Sequence, residues 1–200
     1  LAAVTWVLFA TRFGFPVSVS HSLVAGVLGA GIATAGLDKI NQAVMAKVLL
    51  ALAFSPLLGF GVAFLVMIVL YWLLRNWTLT TANIVFGRLQ IMSAALLAYS
   101  HGKNDAQNAV GIMALGWAIY YSQDVTVESW MQGAAGLAIG LGTALGGWRV
   151  IHTLGDRITR LHPASGFTAN IAAAGVIEVA SGFGLPVSTT HTASSAIVGV

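Results

Sequence analysis

The chain contains no cysteine, which excludes disulfides and thiolate metal centres and leaves its compartment open. Charge is also scarce. Asp, Glu, Lys and Arg make up 8% of the 200 residues, against roughly a quarter in soluble domains, so the chain cannot clothe itself for water. Its net charge of +3 and isoelectric point of about 9.6 come from Lys and Arg that stand singly. With no basic run or basic helical face, nucleic acid is not an expected partner. The chain also lacks a His-Glu-x-x-His pair, a Gly-x-Ser-x-Gly element and a nucleotide-binding loop. It therefore reads as neither an enzyme nor an ATP-driven machine, and no cofactor is expected. What is present is apolar: hydrophobic residues are 58% of the chain and the mean hydropathy is +0.87. Twenty-three glycines favour close helix packing and unwound backbone within a bilayer.

Two stretches nearly repeat each other. Phe13-Gly14-Phe15-Pro16-Val17-Ser18-Val19-Ser20-His21 is answered by Phe183-Gly184-Leu185-Pro186-Val187-Ser188-Thr189-Thr190-His191. Extended to Ala30 and Val200, the pairing gives seven identities in eighteen positions. A duplicated Pro-hydroxyl-His element in so apolar a chain predicts an internally repeated membrane transporter, with broken helices where the repeats meet.

A membrane span needs about 20 mostly apolar residues. Val48 to Leu74 (with a kink at Ser55-Pro56), Leu89 to Tyr121, Trp130 to Trp148 and Ala164 to Gly182 qualify. Gly136 and Gly140 form a GxxxG pair, read as ordinary helix packing. Leu1 to Arg12 reads as the end of a span. Val17 to Gly36 either spans or is re-entrant. If it spans, five crossings separate the repeated elements and the repeats are inverted; if it is re-entrant, they are parallel. In the first case Arg12, Arg75, Arg88, Arg149, Arg157 and Arg160 share one face, read as cytoplasmic, and Lys39, Lys47, Asp124 and Glu128 share the other. Both ends fall inside apolar segments, so the chain reads as the middle of a longer protein.

His101-Gly102-Lys103-Asn104-Asp105-Ala106-Gln107-Asn108 is a polar island between apolar flanks, with Gly102 permitting a helix break. Such a stretch is tolerable only against protein or a watery cavity. Asn104 and Asn108, at i and i+4, point the same way with Asp105 alongside. Asp105 with Asn104 and Asn108, supported by Gln107, is a hard oxygen set suited to sodium or a similar ion. Pro16 and Pro186 suit the first turn of a helix. Ser18, Ser20, Ser188, Thr189 and Thr190 then lie at helix N-termini, where free N–H groups and the positive dipole end suit an oxyanion. His21 and His191 donate to an anion, carry a proton or bond a neighbouring helix. Lys103 neutralises an anion or snorkels to the interface, and Glu178 pairs with a hydroxyl or titrates. His152 and His162 read as solvated. Trp72, Trp77, Trp117, Tyr120, Tyr121, Trp130 and Trp148 read as interface anchors.

These motifs resemble those of the Pit-type inorganic phosphate transporters. The island from His101 to Ala109 is similar to that family's Gly-Ala-Asn-Asp-x-x-Asn-Ala signature, and the repeated elements are similar to its Pro-x-Ser-x-x-His signature. Ser55 to Phe60 also looks like a family segment. The resemblance implies an all-α integral membrane protein of two inverted repeats with broken or re-entrant helices, of which this chain is a fragment. It divides the chain into residues 1–74, the end of the first repeat; 75–88, a linker; and 89–200, most of the second repeat. It implies symport of inorganic phosphate with sodium or protons across the plasma membrane, phosphate on the five hydroxyls and the cation on Asp105, Asn104 and Asn108. A homodimer is a candidate assembly, and sulfate transport or a passive anion channel are the alternatives. Lys103 stands where the family usually has Ala. Asn170, a candidate supporting residue, stands where many relatives carry Glu, which leaves the coupling ion open.

Overall fold

A computed structural model describes residues 1–157 and 161–200. Arg160, and the side chain of Arg157, lie outside the described residues. The others form α1 (Ala2–Phe13), α2 (Val19–Ala35), α3 (Gln42–Leu74), α4 (Leu79–Tyr121), α5 (Ser129–Leu145), α6 (Trp148–His152), α7 (Pro163–Gly182) and α8 (Thr189–Val198).

The sequence repeat is a structural repeat. Gly14 closes α1 at φ +78°, and the N–H groups of Gly14 and Phe15 turn back to the carbonyls of Thr11 and Ala10 at 3.1 and 2.9 Å. Gly184 does the same after α7 at φ +65°, with Gly184 and Leu185 bonding Ser181 and Ala180, both at 3.0 Å. The left-handed backbone at this position is what favours glycine. Each chain then runs extended to a serine N-cap: Ser18 Oγ accepts from the His21 N–H at 3.1 Å, and Ser188 Oγ from the His191 N–H at 3.2 Å. Pro16 and Pro186 are therefore not in a first helical turn, as expected from sequence. They stand two residues ahead of the caps, where a locked φ and a missing N–H keep the linker out of both helices.

Contacts set the direction of each element. A Cβ placed on Gly26 would meet Ala3 Cβ at 3.6 Å, so α2 folds back along α1. Ser20 bonds Asn108, and Leu23 to Gly31 share a cavity wall with Ile112, so α2 runs with α4 towards Tyr121. Ser93 bonds Asn170 and Asn104 bonds Ser181, so α7 also runs parallel to α4. Ala196 packs among Ala169, Ala172 and Ala173, so α8 folds back along α7. The hairpin α1–α2 therefore opens towards the Tyr121 end of α4, and the hairpin α7–α8 towards the Leu79 end. Their tips meet between, and the repeats are inverted.

This corrects the route of the chain while keeping its parity. Neither Val17 to Gly36 nor Ala164 to Gly182 is a simple crossing; each is one arm of a hairpin. Between the tips, α3 and α4 are each long and apolar enough to cross a bilayer, and α5 with the segment from Trp148 to Gly155 makes a third candidate, bent by 67°. Three crossings, like five, are odd. The bend falls at Gly146 and Gly147, inside the expected span Trp130 to Trp148.

Three further expectations change. Residues 75–78 alone connect α3 to α4, because Leu79 already begins α4. The polar island does not break its helix: α4 continues for 43 residues, about 65 Å at 1.5 Å per residue. Its polar side chains find partners on the hairpin tips, so its backbone has no need to unwind. Arg12 does not share an end with Arg75. It flanks the first tip, where the Arg149 guanidinium donates to its carbonyl and Thr153 Oγ1 donates to the Gly14 carbonyl at 2.9 Å. Arg75 lines a cavity with His162, Ala164 and Ser165, which places the α3–α4 turn and the start of α7 at one end. Asp124 and Glu128, in the α4–α5 connection, mark the other.

The packed centre is built from small residues. Ala63, Ala169, Ala172, Ala173 and Ala196 are all buried where α3, α7 and α8 meet, which allows helix backbones to approach closely. Gly59 shows how closely: a Cβ there would lie 2.5 Å from the Thr192 carbonyl oxygen. Gly136 and Gly140 have no such neighbour among the described residues.

Candidate functional site

The site lies where the two hairpin tips converge on one face of α4. Asn104 and Asn108 are one helical turn apart, but the tips divide them. Asn104 Nδ2 donates to the Val187 carbonyl at 3.3 Å, and its Oδ1 accepts from Ser181 Oγ at 3.2 Å, so this amide is clasped by the α7–α8 tip. Asn108 Nδ2 donates to Ser20 Oγ at 3.3 Å, on the α1–α2 hairpin. Both amides still line one cavity, but each bonds a different tip. Between them, Asp105 Oδ1 accepts from Thr189 Oγ1 at 3.3 Å, while Oδ2 lies 3.2 Å from His101 Nε2.

The tips also touch each other directly. Thr190 Oγ1 donates to the Val17 carbonyl at 3.3 Å. The imidazole rings of His21 and His191 lie with centroids 5.0 Å apart, and His21 Nδ1 is 2.8 Å from Ser18 Oγ. Ser18, Ser20, Ser188 and Thr189 are all buried. The four N-terminal N–H groups of a helix have no backbone partner within it, and α2 and α8 both begin at this cluster. Next to it a cavity of about 280 Å³ is lined by Asn104, Gln107, Asn108, Ser181 and residues 184–186.

Of the residues expected from sequence, the five hydroxyls, Asn104, Asp105, Asn108, His21 and His191 come together, and Gln107 reaches the adjoining cavity. Asn170 does not. Its amide donates to Ser93 Oγ at 3.2 Å, and Ser93 precedes Asp105 by twelve residues, about 18 Å of helical rise.

Sequence reasoning missed two contributors. Ser55 Oγ accepts the Ser188 N–H at 3.2 Å and donates to the carbonyls of Ala51 and Leu52, at 2.8 and 3.1 Å. Pro56 supplies no N–H to the Leu52 carbonyl, so the serine before it fills that gap and anchors the second tip. The signal was the Ser-Pro pair itself, read as a kink and as part of a family-like segment but not as an anchor. Ser181 was missed because nothing local marks it. Lys103 and Glu178 were read separately, but they are partners: Lys103 Nζ lies 2.8 Å from Glu178 Oε2, joining α4 to α7.

The arrangement gathers hydroxyls, amides, helix N-termini and one carboxylate in a narrow polar core between apolar helices. The hydroxyls and N-termini suit an oxyanion. The carboxylate and carbonyl oxygens suit a hard monovalent cation.

Known proteins resemble this chain. The model of the phosphate transporter family matches residues 1–82 and 75–200. A protein of Bacillus subtilis (strain 168) described as a "Probable low-affinity inorganic phosphate transporter" is 40% identical over the whole chain, which covers 61% of that protein. One of Rhizobium meliloti (strain 1021) with the same description is also 40% identical, and the chain covers 60% of it. Among solved structures, a sodium-dependent phosphate transporter superposes with a TM-score of 0.86 at 26% identity, over 99% of this chain and 67% of that one. The chain thus spans about three fifths of the length of these two curated relatives. With its motifs, its paired hairpins and a family match along its length, the chain belongs to the phosphate transporter family, whose members are integral membrane transporters and not enzymes.

Proposed function

We propose that this chain forms the ion-binding core of a secondary active transporter that moves inorganic phosphate across the plasma membrane together with sodium or protons. The observation that carries this reading is the meeting of two oppositely directed hairpin tips on Asn104, Asp105 and Asn108. Phosphate is held by Ser18, Ser20, Ser188, Thr189 and Thr190 with the N-termini of α2 and α8. The cation is held by Asp105 with Asn104 and Asn108, and its charge offsets that of the anion, which couples the two fluxes. The sodium dependence of the structural relative supports a cation as the partner ion.

Magnitudes favour exchange of partners. The neutral bonds that join the tips to α4 and to each other are 3.2–3.3 Å long, and a neutral bond contributes about 0.5–1.5 kcal/mol net. Bonds to an ion contribute about 1.5–3 kcal/mol, so arriving ions displace these contacts without an outside energy source. Because the tips enter from opposite ends, movement of one hairpin against the other exposes the site to one side at a time. The test is uptake of radiolabelled phosphate by the full-length protein in liposomes, under separate sodium and proton gradients. Accumulation above equilibrium under either gradient supports symport. Equilibration alone indicates a channel, and accumulation of sulfate in preference to phosphate overturns the substrate.

A further inference from the structure

A cavity of about 490 Å³ lies at the α3–α4 turn, and the start of α7 forms part of its wall. It is remote from the hairpin tips. Ser165, on that wall, precedes Ser181 by sixteen residues along α7, about 24 Å of helical rise. Met67, Leu70, Leu74 and Ala82 make one side apolar, and the exposed rings of Tyr71 and Trp77 complete it. The charge is of one sign: Arg75 and His162 line the cavity, and no acidic residue does among the described residues. Neither basic group is ion-paired there, the ion pairs of the described residues being His101 with Asp105 and Lys103 with Glu178. At the foot of α7 the Gly166 N–H donates to the His162 carbonyl at 2.9 Å. The Ala164 and Ser165 N–H groups precede that bond and have no helical acceptor, and both residues line the cavity.

We propose that this cavity seats the headgroup of an anionic phospholipid, with the phosphodiester on Arg75 and the first turn of α7 and an acyl chain along Met67, Leu70 and Leu74. A guanidinium matches phosphate oxygens in pairs, and the α7 N-terminus adds donors and a positive dipole end. Three observations select a lipid over a free anion. The apolar wall has nothing to offer a small ion but suits a hydrocarbon chain. Tyr71 and Trp77 are the residue types that settle at the level of lipid headgroups. The Arg75 end of α4 is also the side that the Arg bias reads as cytoplasmic, and that leaflet carries the anionic lipids that basic pockets between membrane helices bind.

Native mass spectrometry of the purified full-length protein in neutral detergent tests this by counting bound lipid. The probes are dioctanoyl phosphatidylglycerol and dioctanoyl phosphatidylcholine, which share their tails and differ in charge. The wild type is expected to bind the anionic lipid about tenfold or more tightly than the zwitterionic one. Arg75→Gln should weaken phosphatidylglycerol binding roughly tenfold and leave phosphatidylcholine unchanged. Ala82→Phe, which fills the apolar side, should also weaken phosphatidylglycerol binding, and it carries the test should the Arg75 variant fail to fold. Arg88→Gln alters an exposed arginine of α4 outside the cavity and should change nothing. Equal wild-type affinity for the two lipids would overturn the proposal, as would unchanged phosphatidylglycerol binding in either folded cavity variant or an equal loss in Arg88→Gln. Displacement of the lipid by an equal concentration of inorganic phosphate would make this a free-anion site and overturn it as well.

Discussion

The imidazoles of His21 and His191, 170 residues apart in sequence, lie with ring centroids 5.0 Å apart. Each sits in the first turn behind a serine cap, on helices that run in opposite directions along α4. Their approach is the most direct evidence that the two copies of the motif form one site instead of two.

That approach can be read chemically. Cysteines at positions 21 and 191 should be joined in high yield by a short bifunctional maleimide, in a chain with no other cysteine. Joining them should stop transport, because the tips can no longer separate. Failure to cross-link, or full uptake after complete cross-linking, would show that the tips do not meet or do not need to part.

Asp105→Asn keeps the shape of the side chain and removes the charge facing Thr189 and His101. Loss of one charged contact costs about 1.5–3 kcal/mol, so the affinity for the coupling ion should fall roughly ten- to hundredfold. The protein should still insert. Wild-type ion dependence of uptake in this variant would remove Asp105 from the cation site.

Ser188 has two roles that separate experimentally. As the N-cap of α8, its replacement by Ala should destabilise the purified protein by about 1 kcal/mol, seen as a lower melting temperature. Replacing Ser188, Thr189 and Thr190 together should also weaken phosphate binding more than a lost cap explains, roughly tenfold or more per lost contact to the ion. Unchanged phosphate affinity would leave these hydroxyls as structural caps alone.

Gly59→Ala tests the contact between α3 and α8. The new methyl would lie 2.5 Å from the Thr192 carbonyl oxygen, a backbone atom that cannot rotate away. Overpacking of this kind costs about 1–3 kcal/mol, and here it displaces the hairpin that carries Ser188 and Thr189. Thermal denaturation of the purified variant should show the loss; an unchanged melting point would mean that the helices do not approach as described.

Sidedness follows from charge. Arg75 lies in the α3–α4 turn, whereas Asp124 and Glu128 lie at the far end of α4. A cysteine at position 124 should react with an impermeant thiol reagent in intact cells, and one at position 75 should be spared. The reverse pattern would turn the protein over in the membrane; equal labelling would contradict α4 as a crossing.

Much of this was legible in single residues. The Gly-x-Pro-Val-Ser-x-x-His repeat announced two broken elements because glycine, proline and a capping serine act on the backbone within a few residues of themselves. Asn104, Asp105 and Asn108 announced a site because polar groups at membrane depth must be satisfied somewhere. What satisfied them was not legible. The island was expected to unwind at Gly102, yet helix α4 persists because the partners arrive from outside it.

Composition, the hydrophobic runs and the repeated motif determined by themselves that this chain is helical, membrane-embedded and duplicated, since each depends only on local chemistry and on the solvent the residues demand. Tertiary structure decided the rest. Hairpin arms and true crossings have the same apolar composition, so only contacts such as Ala3 with Gly26 and Ala196 with Ala172 show which segments turn back. In the same way, Lys103 and Glu178 are separated by 75 residues, and only the parallel packing of α4 and α7 makes them a pair. Long-range pairing of this kind depends on how helix faces fit together, which no local stretch of sequence specifies.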